Sequence, residues 1–135
     1  MTSPEWFVSA IDNSPEHHYV DVEGANIHYS LWGDSSKPGL FFVHGYSANS
    51  NWWDFIAPHF LDDFCVVAVD LSGNGDSDHR HNYSQELYAK ELKAVCEDRQ
   101  WNSTTFIAHS MGGSISLKAT SFFPEIFTQL ILLDS

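Results

Sequence analysis

The chain has 135 residues, 43% of them hydrophobic and 15% aromatic, which is enough apolar side chain for one buried core and excludes a disordered polypeptide. Its 18 acidic residues against 6 basic ones leave a formal net charge of −12, which repels phosphate backbones and anionic bilayers and so argues against nucleic acid or a membrane as partner. No apolar run approaches the roughly 18 residues that span a bilayer, and the N-terminus lacks the basic and apolar regions of a signal peptide.

Residues 1–16 are read as an N-terminal extension. The stretch HHYVDVEGANIHYSLWG, residues 17–33, reads as two strands around a turn at Glu23, Gly24, Ala25 and Asn26. Tyr19, Asp21 and Glu23 alternate with Val20 and Val22, and Ile27, Tyr29 and Leu31 repeat the period of two. Four later runs are continuously apolar: Leu40 to Val43, Cys65 to Val69, Thr104 to Ala108, and Leu130 to Leu133. Such strands are expected to be covered on both faces, as in a parallel sheet. Helices are expected between them, over Asn51 to Phe60, Ser84 to Arg99 and Gly112 to Phe123, the last ended by Pro124. In the second of these, Tyr88, Leu92, Val95 and Cys96 share one face, and Lys90, Glu91 and Lys93 are expected to face away.

This order predicts an α/β fold: a mostly parallel, doubly wound sheet of about six strands with about three helices. Chemistry in such sheets sits beyond the C-terminal strand ends, which directs attention to the loops after Val43, Val69, Ala108 and Leu133. Cys65 and Cys96 make no CxxC or zinc pattern and read as buried thiols of a reducing compartment. With no signal peptide, a cytoplasmic location is expected.

AHSMGG, residues 108–113, places Ser110 between a strand and a helix, with small residues at Ala108 and Gly112 where the two backbones must approach. Ser110 is therefore a candidate nucleophile; the alternative is a serine that merely caps the helix. An oxyanion hole needs two backbone N–H donors. Met111 supplies one by position, and Tyr46, in the HGYS loop after the first continuous strand, supplies the other. His44 reads as a structural histidine that pins that loop, not as a general base. Trp52, Trp53 and Phe55 are expected to pack a helix on the sheet, with Trp52 or Trp53 as candidate linings of an apolar pocket.

GNGDS within residues 70–80 is neither a dinucleotide fingerprint nor a calcium loop. Asp78 stands where the third glycine is needed, and His81 stands where a calcium loop has its bidentate glutamate. It reads as a tight structural turn. His17, His18, His79 and His81 have no second cluster to complete a metal site, so no metal and no cofactor is expected.

In this order and at this spacing, FFVHGYSANSNWWDFIAP, VVAVDLSGNGDSDHR, FIAHSMGGS and LILLDS resemble the N-terminal part of α/β-hydrolase-fold proteins of the bacterial serine esterase and lipase-like group, over roughly residues 17–135. The resemblance implies a serine hydrolase acting on carboxylic esters or similar small acyl substrates, with Ser110 as nucleophile and the Tyr46 and Met111 N–H groups as oxyanion hole. A serine at 110 disfavours the dehalogenase and epoxide-hydrolase relatives, which use a carboxylate. Where the family continues to an acid and a histidine, no histidine follows Ser110 here, and the only later acids are Glu125 and Asp134. The expectation is therefore a single incomplete domain over residues 1–135, a truncated α/β-hydrolase core. Its last strand would be an open edge, inviting a homo-oligomer or a complementary C-terminal hydrolase half. A non-catalytic interaction module on the same fold is the alternative, and another serine-dependent reaction such as C–C bond hydrolysis a third reading.

Overall fold

The computed structural model describes residues 2–135 and shows one six-stranded sheet. The strands are β1 (Glu16–Val22), β2 (Ala25–Trp32), β3 (Gly39–Val43), β4 (Cys65–Val69), β5 (Thr104–His109) and β6 (Phe127–Leu133), in the spatial order β1-β2-β4-β3-β5-β6. β1 with β2 and β2 with β4 are antiparallel; the remaining pairs are parallel. β1 turns into β2 through Glu23 and Gly24, both at positive φ, the tight turn whose twist matches the paired strands.

The helices are α1 (Glu5–Asp12), α2 (Gln85–Asp98) and α3 (Met111–Phe122). The expected bounds of α2 hold because Ser84 caps it, its hydroxyl accepting from the Leu87 N–H at 3.0 Å. The pleat of the central strands splits their side chains between two cores. Phe41, Val43, Val67, Val69, Phe106 and Ala108 pack under Leu92 and Val95 of α2 and Ile115 and Ala119 of α3. Leu40, Phe42, Val66 and Ala68 face the other way, against Trp53 and Ala57. No helix among the described residues is long and apolar enough to cross a membrane.

Three expectations are corrected. The helix expected over Asn51 to Phe60 is two short 3-10 turns, Ser50–Trp53 and Ala57–Phe60. Pro58 has no N–H for the α-helical ladder, and the Asn49 side chain accepts from the Asn51 N–H at 2.9 Å, closing the first turn early. Second, β5 is not covered on both faces: Thr104, Phe106 and Ala108 are buried while Thr105 and Ile107 are half-buried. β6 is longer than expected, and Ile131, Leu132 and Leu133 are all exposed, since this strand pairs only with β5. Third, Glu91 does not face solvent but is fully buried. Within the N-terminal extension lies α1, whose Trp6 and Phe7 rings lie against Phe55. Pro4 opens it, its carbonyl accepting from the Phe7 and Val8 N–H groups at 3.1 Å.

Candidate functional site

The loops leaving β3, β4 and β5 meet at one end of the sheet, and three buried polar groups tie them together. His44 is fully buried at the end of β3. Its Nδ1–H donates to the Gly45 carbonyl at 2.8 Å, and its Nε2 accepts from the Leu71 N–H at 3.1 Å. Both nitrogens are committed, so this is a neutral ring that pins two loops and is no free base, as expected from the sequence. Burial pushes its pKa below the usual 6.5, against the opposing pull of the Gly45 carbonyl and Asp70.

That direction has a consequence for stability. The unfolded chain takes up a proton at position 44 that the native ring refuses, so the His44 contribution is whole above pH of about 6.5 and is lost as the medium is acidified. Each pH unit below that point is expected to remove up to about 1.4 kcal/mol, until the native ring itself protonates. Urea denaturation at pH 7 and at pH 5.5 measures it. The pH slope of His44→Asn is expected to be shallower than that of the parent by one proton, and equal slopes would contradict the assignment.

Asp70, at the end of β4, organises the second loop. Its Oδ1 accepts from the Ser50 N–H at 2.6 Å, and its Oδ2 from His28 Nδ1–H at 2.7 Å and the Asp76 N–H at 3.0 Å. Burial alone would raise this carboxyl, but the bonds from His28, Asp76 and Ser50 outweigh it and hold the pKa below the ordinary value. Gly75, at φ +51°, lets the chain wrap the carboxylate; a Cβ there would fall 2.4 Å from Asp70 atoms. The GNGDS turn is thus structural. Three possible metal-ligating groups, on His28, Asp70 and Asp76, come within 4.8 Å of one another, and His28 Nδ1–H and Asp70 Oδ2 are joined there by a hydrogen bond.

Ser110 joins β5 to α3 with φ +53° and ψ −118°. These are the angles of the first central residue of a type II′ turn, where glycine is the usual occupant, so a serine here is under strain. Gly112 makes the turn possible, because α3 crosses so close to β3 that a Cβ at 112 would lie 2.3 Å from the His44 carbonyl oxygen. The Ser110 N–H donates to the Leu133 carbonyl at 3.0 Å, fixing the turn to the end of β6. Ser110 is half-buried, and its Oγ makes no hydrogen bond to any described residue.

A cavity of about 420 Å³ opens over this hydroxyl, lined by residues 45–49, Trp52, His109 and Ser110. Tyr46 stands at its rim and is 79% exposed. Among the described residues, neither the Tyr46 N–H nor the Met111 N–H has a protein acceptor, the latter because it opens α3. The two tryptophans divide the roles that the sequence left open. Trp53 is buried with its ring 4.5 Å from that of Phe42, while Trp52 lines the cavity and stacks on His109 at 5.6 Å and 20°. His109, His28 and Asp70 were not singled out by sequence reasoning. Adjacency to Ser110 was a signal for the first; the other two are joined by a contact between residues 42 positions apart.

A family model for the alpha/beta hydrolase fold matches residues 38–135. A serine hydrolase-like protein of Mus musculus is 34% identical over 117 residues, covering 84% of this chain and 38% of that protein. Epoxide hydrolase 4 of Homo sapiens is 28% identical over 123 residues, covering 87% of this chain and 34% of that protein. Among solved structures, Cfl2 from Burkholderia cenocepacia superposes with a TM-score of 0.83 at 26% identity, over 90% of this chain and 42% of Cfl2. The chain therefore spans little more than a third of the length of these curated relatives.

Proposed function

The chain belongs to the alpha/beta hydrolase fold family, and from that premise we propose that it is the nucleophile-bearing part of a serine hydrolase acting on carboxylic esters or similar small acyl compounds. The observation that carries this reading is the strained φ of Ser110, which presents an unbonded hydroxyl to the cavity at the N-terminus of α3. Strain of this kind persists only where the surroundings enforce it, and it clusters at working sites. In the proposed reaction, Oγ attacks the acyl carbon and its proton leaves to a base. Negative charge forms on the acyl oxygen, facing the Tyr46 and Met111 N–H groups, and then returns to the carbonyl as the C–O bond breaks and the base gives its proton to the leaving alcohol. Water then releases the acid. A serine at 110, not a carboxylate, favours this reading over epoxide opening.

The base is proposed to come from polypeptide outside residues 2–135. Among the described residues no imidazole hydrogen-bonds to Ser110 Oγ, and both nitrogens of His44 are engaged elsewhere. A cytoplasmic location accompanies the proposal, supported by the buried free thiols Cys65 and Cys96.

A fluorophosphonate probe tests the assignment, since Oγ displaces fluoride to leave a stable phosphonyl serine. Labelling is expected to be slow without the base and absent in Ser110→Ala, read by intact-mass spectrometry. Labelling that persists unchanged in Ser110→Ala removes Ser110 from the account. A second reading is a non-catalytic module that associates through β6, as a homo-oligomer or with a complementary C-terminal hydrolase half. It is favoured by the open edge and by Ile131, Leu132 and Leu133, each 41–42% exposed. It predicts no Ser110-dependent labelling, together with self-association on size-exclusion chromatography.

A further inference from the structure

We propose that the cavity over Ser110 takes the flat, uncharged ring of an aryl ester, held against Trp52. Which bond then breaks rests on the Ser110 reading; how the ring is held does not. Every large apolar surface of the cavity comes from a ring, supplied by Tyr46, Trp52 and His109. The other lining positions are Gly, Ser, Ala and Asn. Among the described residues no Leu, Ile, Val or Phe lines it, although these residues dominate the two cores beneath. A wall for a flexible alkyl chain would be built from such branched side chains; this one is built from π-faces. Its volume of about 420 Å³ lies within the range of small-molecule pockets, roughly 300–1,000 Å³.

The backbone at Trp52 is anchored on both sides. Before it, the Ser50 N–H donates to Asp70 Oδ1 at 2.6 Å, and the Asn49 side chain closes the turn on the Asn51 N–H. After it, Trp53 is buried against Phe42. The Trp52 ring itself remains 51% exposed. It lies on His109 with centroids 5.6 Å apart and planes at 20°, so the two rings overlap only in part and leave π surface open to the cavity. Gly45 lets His109 take this place, since a Cβ at 45 would fall 3.0 Å from His109 Nδ1. Trp52 is thus oriented before any ligand arrives, and binding has little side-chain freedom left to remove there.

Charge decides the rest of the ligand's chemistry. None of the 6 Lys and Arg residues lines the cavity, and none of the 18 Asp and Glu residues does. Lys37, Arg80, Lys90 and Lys93 are held elsewhere by carbonyls or carboxylates. A carboxylate entering the cavity would give up water with no Lys or Arg in return, and it would approach a chain of formal net charge −12. A neutral ester meets neither penalty. A flat ring also gains from offset or edge contact with the indole beyond the area it buries, whereas a saturated ring of similar outline buries area without that gain.

The test is an NMR titration of the full ¹⁵N-labelled chain with two isomeric esters: methyl benzoate, its ring on the acyl side, and phenyl acetate, its ring on the alcohol side. The Trp52 indole N–H, identified by its loss in Trp52→Leu, is expected to shift together with the Ser47 and Ala48 amides for at least one of them, and that one names the side the ring occupies. The saturated counterparts, methyl cyclohexanecarboxylate and cyclohexyl acetate, are expected to bind about five-fold more weakly. Benzoate is expected to leave these signals in place, and in Trp52→Leu the preference for the flat ring is expected to vanish. A Trp52 signal moved by neither aryl ester, saturated rings that bind as well as flat ones, benzoate that binds as well as its methyl ester, or a preference unchanged in Trp52→Leu would each overturn the proposal. Binding is read here and not turnover, so a Ser110 that fails to label with fluorophosphonate defeats the catalytic reading alone.

Discussion

Gly112→Ala is expected to destabilise the protein by about 3 kcal/mol, the upper part of the range for overpacking a dense core. The sign is what makes the prediction sharp. Glycine inside a helix is normally a weakness, and alanine would repair it by about 1 kcal/mol if nothing stood in the way. Here the added carbon would fall 2.3 Å from the His44 carbonyl oxygen, 2.7 Å from that of Val43 and 3.0 Å from the Val43 carbonyl carbon. All three are backbone atoms of the central strand β3 and its exit, where Val43 and His44 are fully buried. No side chain can rotate to make room, so α3 must lift away from the sheet and carry the Ser110 turn with it. Thermal and urea denaturation measure the loss, with Ser114→Ala on the exposed side of the same helix as the control. A Gly112→Ala variant as stable as the parent would mean that the helix does not approach the strand in this way.

Arg80→Ala is expected to cost about 3–5 kcal/mol, the penalty for leaving one partner of a buried pair alone. Arg80 Nε lies 3.0 Å from Glu91 Oε2, and the two side chains are 7% and 0% exposed. Glu91 also accepts from the Ser72 N–H at 2.8 Å and the Ser72 hydroxyl at 2.6 Å, so it anchors α2 to the loop after β4. Arg80 Nη2 donates to the Val22 carbonyl at 2.8 Å, which adds the end of β1 to the same knot. Burial already pushes the Glu91 pKa above the ordinary 4.5, against the bonds from Ser72 and Arg80. Without the guanidinium it rises further. A carboxyl raised in the native state binds a proton that the unfolded chain has released, so stability falls as pH rises through that interval. The deficit of Arg80→Ala is therefore expected to be smaller at pH 5 than at pH 8. Glu91→Gln added to Arg80→Ala should recover much of it, because the stranded charge is gone. Equal deficits at both pH values, with no recovery in the double variant, would show that the loss comes from packing and not from charge.

Glu91 also shows where sequence reasoning stops. On the helical pattern of α2 it lies beside Lys90 and Lys93, and a charged residue flanked by lysines reads as solvent-facing. Its burial depends on Arg80 arriving from a loop, which no periodicity records. Asp70 behaves in the same way. As a residue ending a strand it looked like one member of a turn, and its role comes from partners on β2, the first 3-10 turn and its own loop. The contact of His17 Nδ1 with His28 Nε2, 2.8 Å apart on neighbouring strands, likewise depends on the cross-strand register. By contrast, the runs at Leu40–Val43 and Cys65–Val69 and the helix capped by Ser84 were legible because their signals are local.

By itself, the amino-acid sequence determined the alternation of strands and helices, the mostly parallel sheet, the family, and the small-residue frame around Ser110. Each of these rests on side-chain type repeated at a short fixed spacing, which is how hydrophobic burial and turn chemistry are written along a chain. Only the tertiary structure decided which polar groups are buried together and whether β5 and β6 are covered. It alone decided that the segment after β3 breaks into 3-10 turns, and that His109 and Trp52 form one wall of the cavity. Those outcomes depend on electrostatic and steric contacts between segments distant in sequence, and their energies do not exist until the fold has brought the groups into reach.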